Sequence, residues 1–105
     1  MKHDKIIDCI EERLVNNYTT VVKRKNYKIN KLEGEVDLYA VNFLRKSLFI
    51  IEVKETNSLH TLHKAMEQLK KDKRYLSKEF EDFNITTMYA YNWKTKRGYD
   101  VVTIK

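Results

Sequence analysis

Proline is absent from the sequence, and glycine occurs only at positions 34 and 98. With so little turn punctuation, the chain offers no linker and no low-complexity tract, and no internal repeat interrupts it. Its single cysteine, Cys9, excludes an intramolecular disulfide and any Cys-rich zinc site. Because Cys9 lies in an apolar-periodic stretch, it reads as a small buried side chain. No apolar run approaches the roughly 18 residues of a membrane span. Behind the opening Met1-Lys2-His3-Asp4-Lys5 there is no apolar segment of a secretory leader. The expectation is a cytoplasmic, reducing-compartment protein with no membrane association. Acidic residues are the minority: 15 Asp and Glu against 21 Lys and Arg leave a net charge of +6. In so small a chain that excess favours a polyanionic partner, most simply nucleic acid.

What is present suffices for one domain. The 105 residues are 42% hydrophobic and 34% charged, enough to bury a single core and too apolar for disorder by composition. A single domain over residues 1–105 is therefore expected. Residues 4–16 carry Ile6, Ile7, Ile10 and Leu14 at helical spacing, with Asp4 as N-cap and Asn16-Asn17 as the stop. At about 100° per residue the apolar positions centre near Ile10, so Glu11 lies at the edge of the buried face and Glu12 points away. Tyr18 to Ile29 is rich in β-branched and aromatic residues and reads as a strand. A second strand starts at Gly34 and runs to Val41. After a turn around Asn42–Ser47, a third runs from Leu48 to Glu55. Its opening Leu48-Phe49-Ile50-Ile51 is apolar on both faces, as suits the middle of a covered sheet. The stretch Leu59–Phe80 has no breaker and repeats Leu62, Ala65, Met66, Leu69, Leu76 and Phe80, which predicts one long helix. Ile85–Trp93 and Tyr99–Ile104 read as closing strands around a turn at residues 94–98. The expected order is αβββαββ, an α/β domain with a mixed sheet flanked by helices.

Residues 34–55 are the chemically informative region. Glu52 and Lys54 project from one face of the third strand, directly after a buried run and at its carboxyl end, where open α/β sheets bind ligands. If the second and third strands form a hairpin, Asp37 comes beside Glu52. Two converging carboxylates make a hard oxygen site suited to Mg²⁺ or Mn²⁺. Lys54 adds a donor for a developing phosphorane charge. About two acid-x-lysine triplets are expected by chance from this composition. Glu52-Val53-Lys54 is the only one, and it falls on the most buried-looking strand. The plain structural alternative is a cross-strand salt bridge near a sheet end.

Gly34-Glu35-Val36-Asp37-Leu38-Tyr39-Ala40 followed by Leu48-Phe49-Ile50-Ile51-Glu52-Val53-Lys54 resembles the core of the PD-(D/E)XK nuclease superfamily, with its restriction-endonuclease-like αβββαββ core. Within it the chain is most similar to archaeal-type Holliday-junction resolvases in length, basic character and element order. The resemblance is detailed over residues 34–55 and topological elsewhere. It implies that Asp37 and Glu52 bind a divalent metal, Mg²⁺ or Mn²⁺, with the Val53 carbonyl as a third ligand, and that Lys54 is the catalytic lysine. It also implies a first-helix acid facing the site: Glu11 suits the helical phase, while its short spacing to the next strand leaves Asp8 or Asp4 as alternatives. The superfamily's proline before the aspartate is replaced here by Val36. Gln68 resembles the glutamine that some of these nucleases carry on the helix after this strand; it reads equally as an ordinary polar helix residue. His60 and His63 lack a further metal ligand and read as exposed or capping residues.

Three basic segments suggest how DNA is held: Lys23, Arg24, Lys25, Lys28 and Lys31; Lys64, Lys70, Lys71, Lys73, Arg74 and Lys78, opposed by Glu67 and Asp72; and Lys94, Lys96 and Arg97. None is built to read bases, so recognition of DNA shape is expected. The leading expectation is a metal-dependent endonuclease acting on branched DNA such as four-way junctions. Symmetrical cutting of a junction brings with it a homodimer, with the exposed residues among Tyr89, Tyr91, Trp93 and Tyr99 supplying the interface and half of the four filling the core. The alternatives are another DNA nuclease of this fold (a nickase, restriction-type enzyme or recombination exonuclease), a catalytically inactive nucleic-acid-binding module, and a purely structural α/β protein. The abundance of Lys, Asn, Ile and Tyr would fit an AT-rich genome such as that of a virus or mobile element.

Overall fold

The computed structural model describes residues 2–15, 20–29, 31–55, 57–91 and 99–104. Helix α1 spans Lys2–Leu14, strands β1, β2 and β3 span Thr20–Ile29, Leu32–Asn42 and Ser47–Val53, helix α2 spans Leu59–Glu79, and β4 and β5 span Asn84–Tyr91 and Asp100–Ile104. The five strands form one mixed sheet in the order β1-β2-β3-β4-β5, antiparallel throughout except for the parallel β3–β4 pair that α2 connects. The αβββαββ order and mixed sheet agree with expectation.

The two helices cover opposite faces. Ile6, Ile7 and Ile10 of α1 pack on Leu38, Ile51, Val53, Ala90 and Tyr99. Leu69, Leu76 and Phe80, from α2 and its C-terminal end, pack on Tyr27, Val36, Tyr39, Val41, Leu48 and Ile50. Strand β3 thus sends Leu48 and Ile50 to one helix and Ile51 and Val53 to the other, the physical meaning of its unbroken apolar run. Cys9 is half-buried at the edge of the α1 core. Tyr89 and Tyr99 are buried, which removes them from any surface available to a second subunit. Tyr91 is half-buried against the Tyr89 ring, and Trp93 lies outside the described residues, as do Tyr18, Asn16-Asn17 and the turn at 94–98. No helix among the described residues is long and apolar enough to cross a membrane.

Element ends differ from expectation for identifiable reasons. Helix α1 begins at Lys2, so Asp4 lies inside its first turn. Instead of capping, its carboxylate takes the Arg24 guanidinium at 2.9 Å. Strand β2 begins two residues before Gly34 because the hairpin ladder extends to Ile29↔Leu32. Strand β3 ends at Val53, and Lys54 stays beside β4 through its amide, which donates to the Ala90 carbonyl at 3.0 Å. Helix α2 starts on a capping box: Ser58 Oγ accepts from the Thr61 amide while the Thr61 hydroxyl oxygen accepts from the Ser58 amide.

A distortion in the β1–β2 hairpin positions the site. Side chains should alternate between faces along a strand. Yet Val22 and Tyr27 both meet the α2 core, as do Val36 and Tyr39. The alternation therefore breaks between each pair, in β1 and β2 together. At the break Arg24 has φ 52°, in the left-handed region, and the ladder passes from Lys23↔Leu38 to Lys25↔Val36 without an Arg24–Asp37 pair. Such a φ costs a non-glycine residue roughly 1–2 kcal/mol. The bidentate grip of Arg24 Nε and Nη2 on Asp4 Oδ1, at 3.3 and 2.9 Å, helps to hold it.

Candidate active site

Asp37 sits at this break, one step beyond Leu38↔Ile51, the last pair of the β2–β3 ladder at that end. The next residue of β3 across from it is Glu52. With the ladder ended, the Val53 amide donates to Asp37 Oδ2 at 2.8 Å, so the carboxylate takes the place of a backbone acceptor. Both carboxyl groups are buried: Asp37 is 7% exposed and Glu52 3%. They share a hydrogen bond. Burial, then the hydrogen bond and charge of Asp37, push the Glu52 carboxyl up to about 10, against a smaller opposing pull from Lys54. Burial acts on Asp37 in the same sense. Hydrogen bonds from His3, Glu52 and the Val53 amide outweigh it and hold Asp37 below the usual carboxylate range. The two shifts run in opposite directions, so of the pair Asp37 is the group that favours the ionised form and Glu52 the group that favours the protonated one.

The α1 side chain that reaches this pair is His3, whose Nε2 lies 3.4 Å from Asp37 Oδ2. Its hydrogen bond with Asp37 raises the His3 pKa, overcoming the lowering effect of burial. The candidate first-helix acids are engaged elsewhere. Glu11 Oε1 and Asp8 Oδ1 lie 3.1 and 3.2 Å from Lys23 Nζ, and Asp4 holds Arg24. Glu11 has the expected position at the edge of the buried face. Its partner is the β1 cation opposite.

Glu52, Lys54 and Gln68 do meet. Together with Lys64, Glu67 and Lys71 they line a pocket of about 260 Å³ between the carboxyl end of β3 and helix α2. Of the candidate DNA-binding residues, Lys71 belongs to this pocket, while Lys70 and Lys73 line a separate groove with Met66, Leu69, Thr87 and Ile104. Arg74, Lys25 and Lys28 are exposed. Lys23 and Arg24 are already paired with α1 acids, which lowers their attraction for phosphate. Lys94, Lys96 and Arg97 lie outside the described residues. His60 and His63 are exposed.

Beside the pocket lies an acid that the sequence reading passed over. Asp72 is fully buried, and its Oδ1 accepts from Tyr27 Oη at 2.9 Å and from Gln68 Nε2 at 2.7 Å. Burial pushes its carboxyl up to about 6, against the two hydrogen bonds that favour the ionised form. The signal was a gap in the α2 stripe: Leu69 and Leu76 call for an apolar residue at 72 or 73, and an aspartate stands there. Gly34 makes the arrangement possible. A Cβ at this position would sit 2.8 Å from Tyr27 Oη and 2.9 Å from Gln68 Nε2. Moving Gln68 would break its bonds to Asp72 and Glu35, and the Tyr27 ring is stacked on Tyr75, centroids 4.3 Å apart and 8° from parallel. Gly34→Ala should therefore destabilise the fold by roughly 1–3 kcal/mol. Adding Tyr27→Phe should recover part of that loss, since it removes the atom in closest conflict; equilibrium urea unfolding checks both.

Among the described residues no group of three or more His, Cys, Asp and Glu is arranged to hold a metal ion. The acidic oxygens brought together are thus those of Asp37 and Glu52, while the Val53 carbonyl accepts a hydrogen bond from His3. That pair of carboxylates suits Mg²⁺, which keeps most of its waters and commonly takes one or two carboxylates plus substrate phosphate. His3 at 3.4 Å and the charge of Lys54 only partly offset the burial of the two carboxyl groups, and a divalent cation would add countercharge there. The chain matches no family model, no curated protein and no solved structure.

Proposed function

We propose that the protein is a divalent-metal-dependent endonuclease that hydrolyses DNA phosphodiester bonds, built on a PD-(D/E)XK-type core and acting on branched DNA as a homodimer. The observation that carries this reading is that buried Glu52, paired with Asp37, lines a pocket whose other walls carry Lys54, Lys64 and Lys71 together with Glu67 and Gln68. Two buried carboxyl groups beside three ammonium groups and one further acid, Glu67, suit a cation and a phosphodiester held side by side. When bound, Mg²⁺ or Mn²⁺ supplies charge neutralisation at a phosphoryl oxygen and a more acidic water. Asp37 and Glu52 would hold it, with the Val53 carbonyl as a third ligand once its hydrogen bond from His3 is released. Lys54, on the same face as Glu52, donates to the developing phosphorane charge, and Lys64 and Lys71 bind the flanking backbone.

The test is cleavage of labelled four-way junction, linear duplex and single strand with Mg²⁺, with and without chelator. Paired nicks confined to the junction support the dimeric, junction-specific form. Cleavage of linear substrates keeps the metal site and discards the junction. Tight binding with no metal-dependent cleavage leaves a binding module.

The same reading ranks the basic residues. Lys64→Ala and Lys71→Ala should each weaken binding and reduce the slope of log affinity against log salt by about 1. Lys23→Ala should change either quantity much less, because its ammonium is already shared by Asp8 and Glu11. Fluorescence anisotropy titrations at several salt concentrations measure the difference.

A further inference from the structure

The amide group of Gln68 has only one orientation compatible with its partners. Its nitrogen lies 2.7 Å from Asp72 Oδ1 and 3.2 Å from the Glu35 carbonyl, both acceptors, so both N–H bonds are committed. A flipped amide would set its oxygen against two other oxygens. The carbonyl oxygen Oε1 is the polar group left over, and Gln68 is a wall of the pocket that holds Glu52 and Lys54. With its nitrogen engaged by Asp72 and Glu35, the group Gln68 has left to offer the pocket is its carbonyl oxygen, an acceptor. A phosphate oxygen, itself an acceptor, gains nothing from it; a water molecule does.

Three residues enforce this orientation. Asp72 is fully buried, and Tyr27 Oη, on the same Oδ1 at 2.9 Å, fixes the carboxylate from the side of β1. Gly34 leaves the space in which the Tyr27 hydroxyl and the Gln68 amide approach each other. The apolar stripe of α2 gives up a position to Asp72, which nothing in the packing of the helix requires. A buried acid used to aim a neighbour is a reason for it to be there.

We infer that Asp72 and Tyr27 are positioning residues that aim the Gln68 carbonyl into the pocket, where it accepts a hydrogen bond from the water that attacks the phosphodiester. This rests on the hydrolase reading above. Gln68 touches the reacting water; Asp72 and Tyr27 act through it.

Two measurements test it. Gln68 is the only glutamine in the chain, so its side-chain NH₂ gives one assignable pair of proton signals on a single nitrogen. Both protons should exchange with solvent far more slowly than those of an exposed amide, and rapid exchange would overturn the clamp whether or not the protein cleaves DNA. In single-turnover cleavage, Gln68→Leu and Asp72→Ala should each lower the rate about 10- to 100-fold with DNA affinity nearly unchanged. The double variant should be no slower than the slower single one, because both remove the same aimed acceptor. Asp72→Asn, whose Oδ1 can accept both hydrogen bonds, should stay within about threefold of wild type. If Asp72→Ala does not fold, Tyr27→Phe takes its place in the cycle with a smaller loss, again absorbed by Gln68→Leu. Wild-type cleavage with Gln68→Leu equally fast, or additive losses, overturns the inference alone. A wild type that never cleaves overturns the hydrolase reading and this role with it, even where the amide protons are protected.

Discussion

Glu52→Gln is expected to make the protein more stable at pH 8 while abolishing metal-dependent cleavage. In the unfolded chain this carboxyl ionises near the ordinary glutamate value of 4.5, and in the folded one burial and Asp37 hold it neutral to about 10. Between those limits the native state keeps a proton that the unfolded state has lost, so stability falls as pH rises through that window. Glutamine cannot ionise, and it keeps a hydrogen-bond donor for Asp37. The variant should gain about 1–3 kcal/mol at pH 8, discounted for relaxation around the buried pair. For a chain of this size that is on the order of 5–15 °C in melting temperature. At pH 4 the gain should nearly vanish, since the wild-type carboxyl is then protonated in both states. An amide is a poor replacement for a carboxylate on Mg²⁺, and cleavage should drop by on the order of 10³-fold or more. Thermal unfolding at pH 4 and 8, together with a cleavage assay, separates the two effects. A variant less stable than wild type at pH 8 would mean that Glu52 is native as a stabilising ion, contrary to the account.

The second large effect is expected from Lys54→Ala. The Lys54 backbone is anchored independently of its side chain by the amide bond to Ala90, and the side chain is half-buried in the pocket rather than in either core. Truncation should therefore leave the fold intact. In the proposed reaction it removes the donor to developing phosphorane charge, for which losses of about 10²–10³ in kcat are typical. Lys54 also pulls the Glu52 carboxyl downward, so its loss makes Glu52 harder to ionise and weakens cation binding as well. Because Lys64 and Lys71 remain, DNA affinity should fall by less than about tenfold. A rate loss with retained affinity is the predicted pattern. Equal losses in both would reduce Lys54 to one phosphate contact among several.

The central pair was legible in the sequence because it depends on local features. A strand apolar on both faces, an acid at its carboxyl end and a hairpin partner with an acid in register are sufficient to bring Asp37 beside Glu52. The parts that were not legible depend on backbone irregularity or on long-range approach. Nothing in Lys23-Arg24-Lys25 announces a left-handed residue, yet Arg24 at φ 52° is where both strands change the faces of their side chains. The helical phase of α1 placed Glu11 correctly and could not show that Lys23 lies within 3.1 Å of it, nor that His3, at the start of a helix begun earlier than expected, reaches Asp37. Tyr27 and Asp72 are 45 residues apart and meet only once the sheet and α2 have packed. Asp72 alone left a trace, as a polar residue on an apolar stripe.

The account stands on the Asp37–Glu52 pair being a divalent-cation site. The most direct measurement is calorimetric titration of Mn²⁺ and Mg²⁺ into the wild-type protein and into Asp37→Asn and Glu52→Gln at pH 8, without DNA. The account predicts a single saturable site in the wild type that each substitution removes, with both variants folded by circular dichroism. Absence of binding in the wild type, or binding that survives both substitutions unchanged, would contradict it.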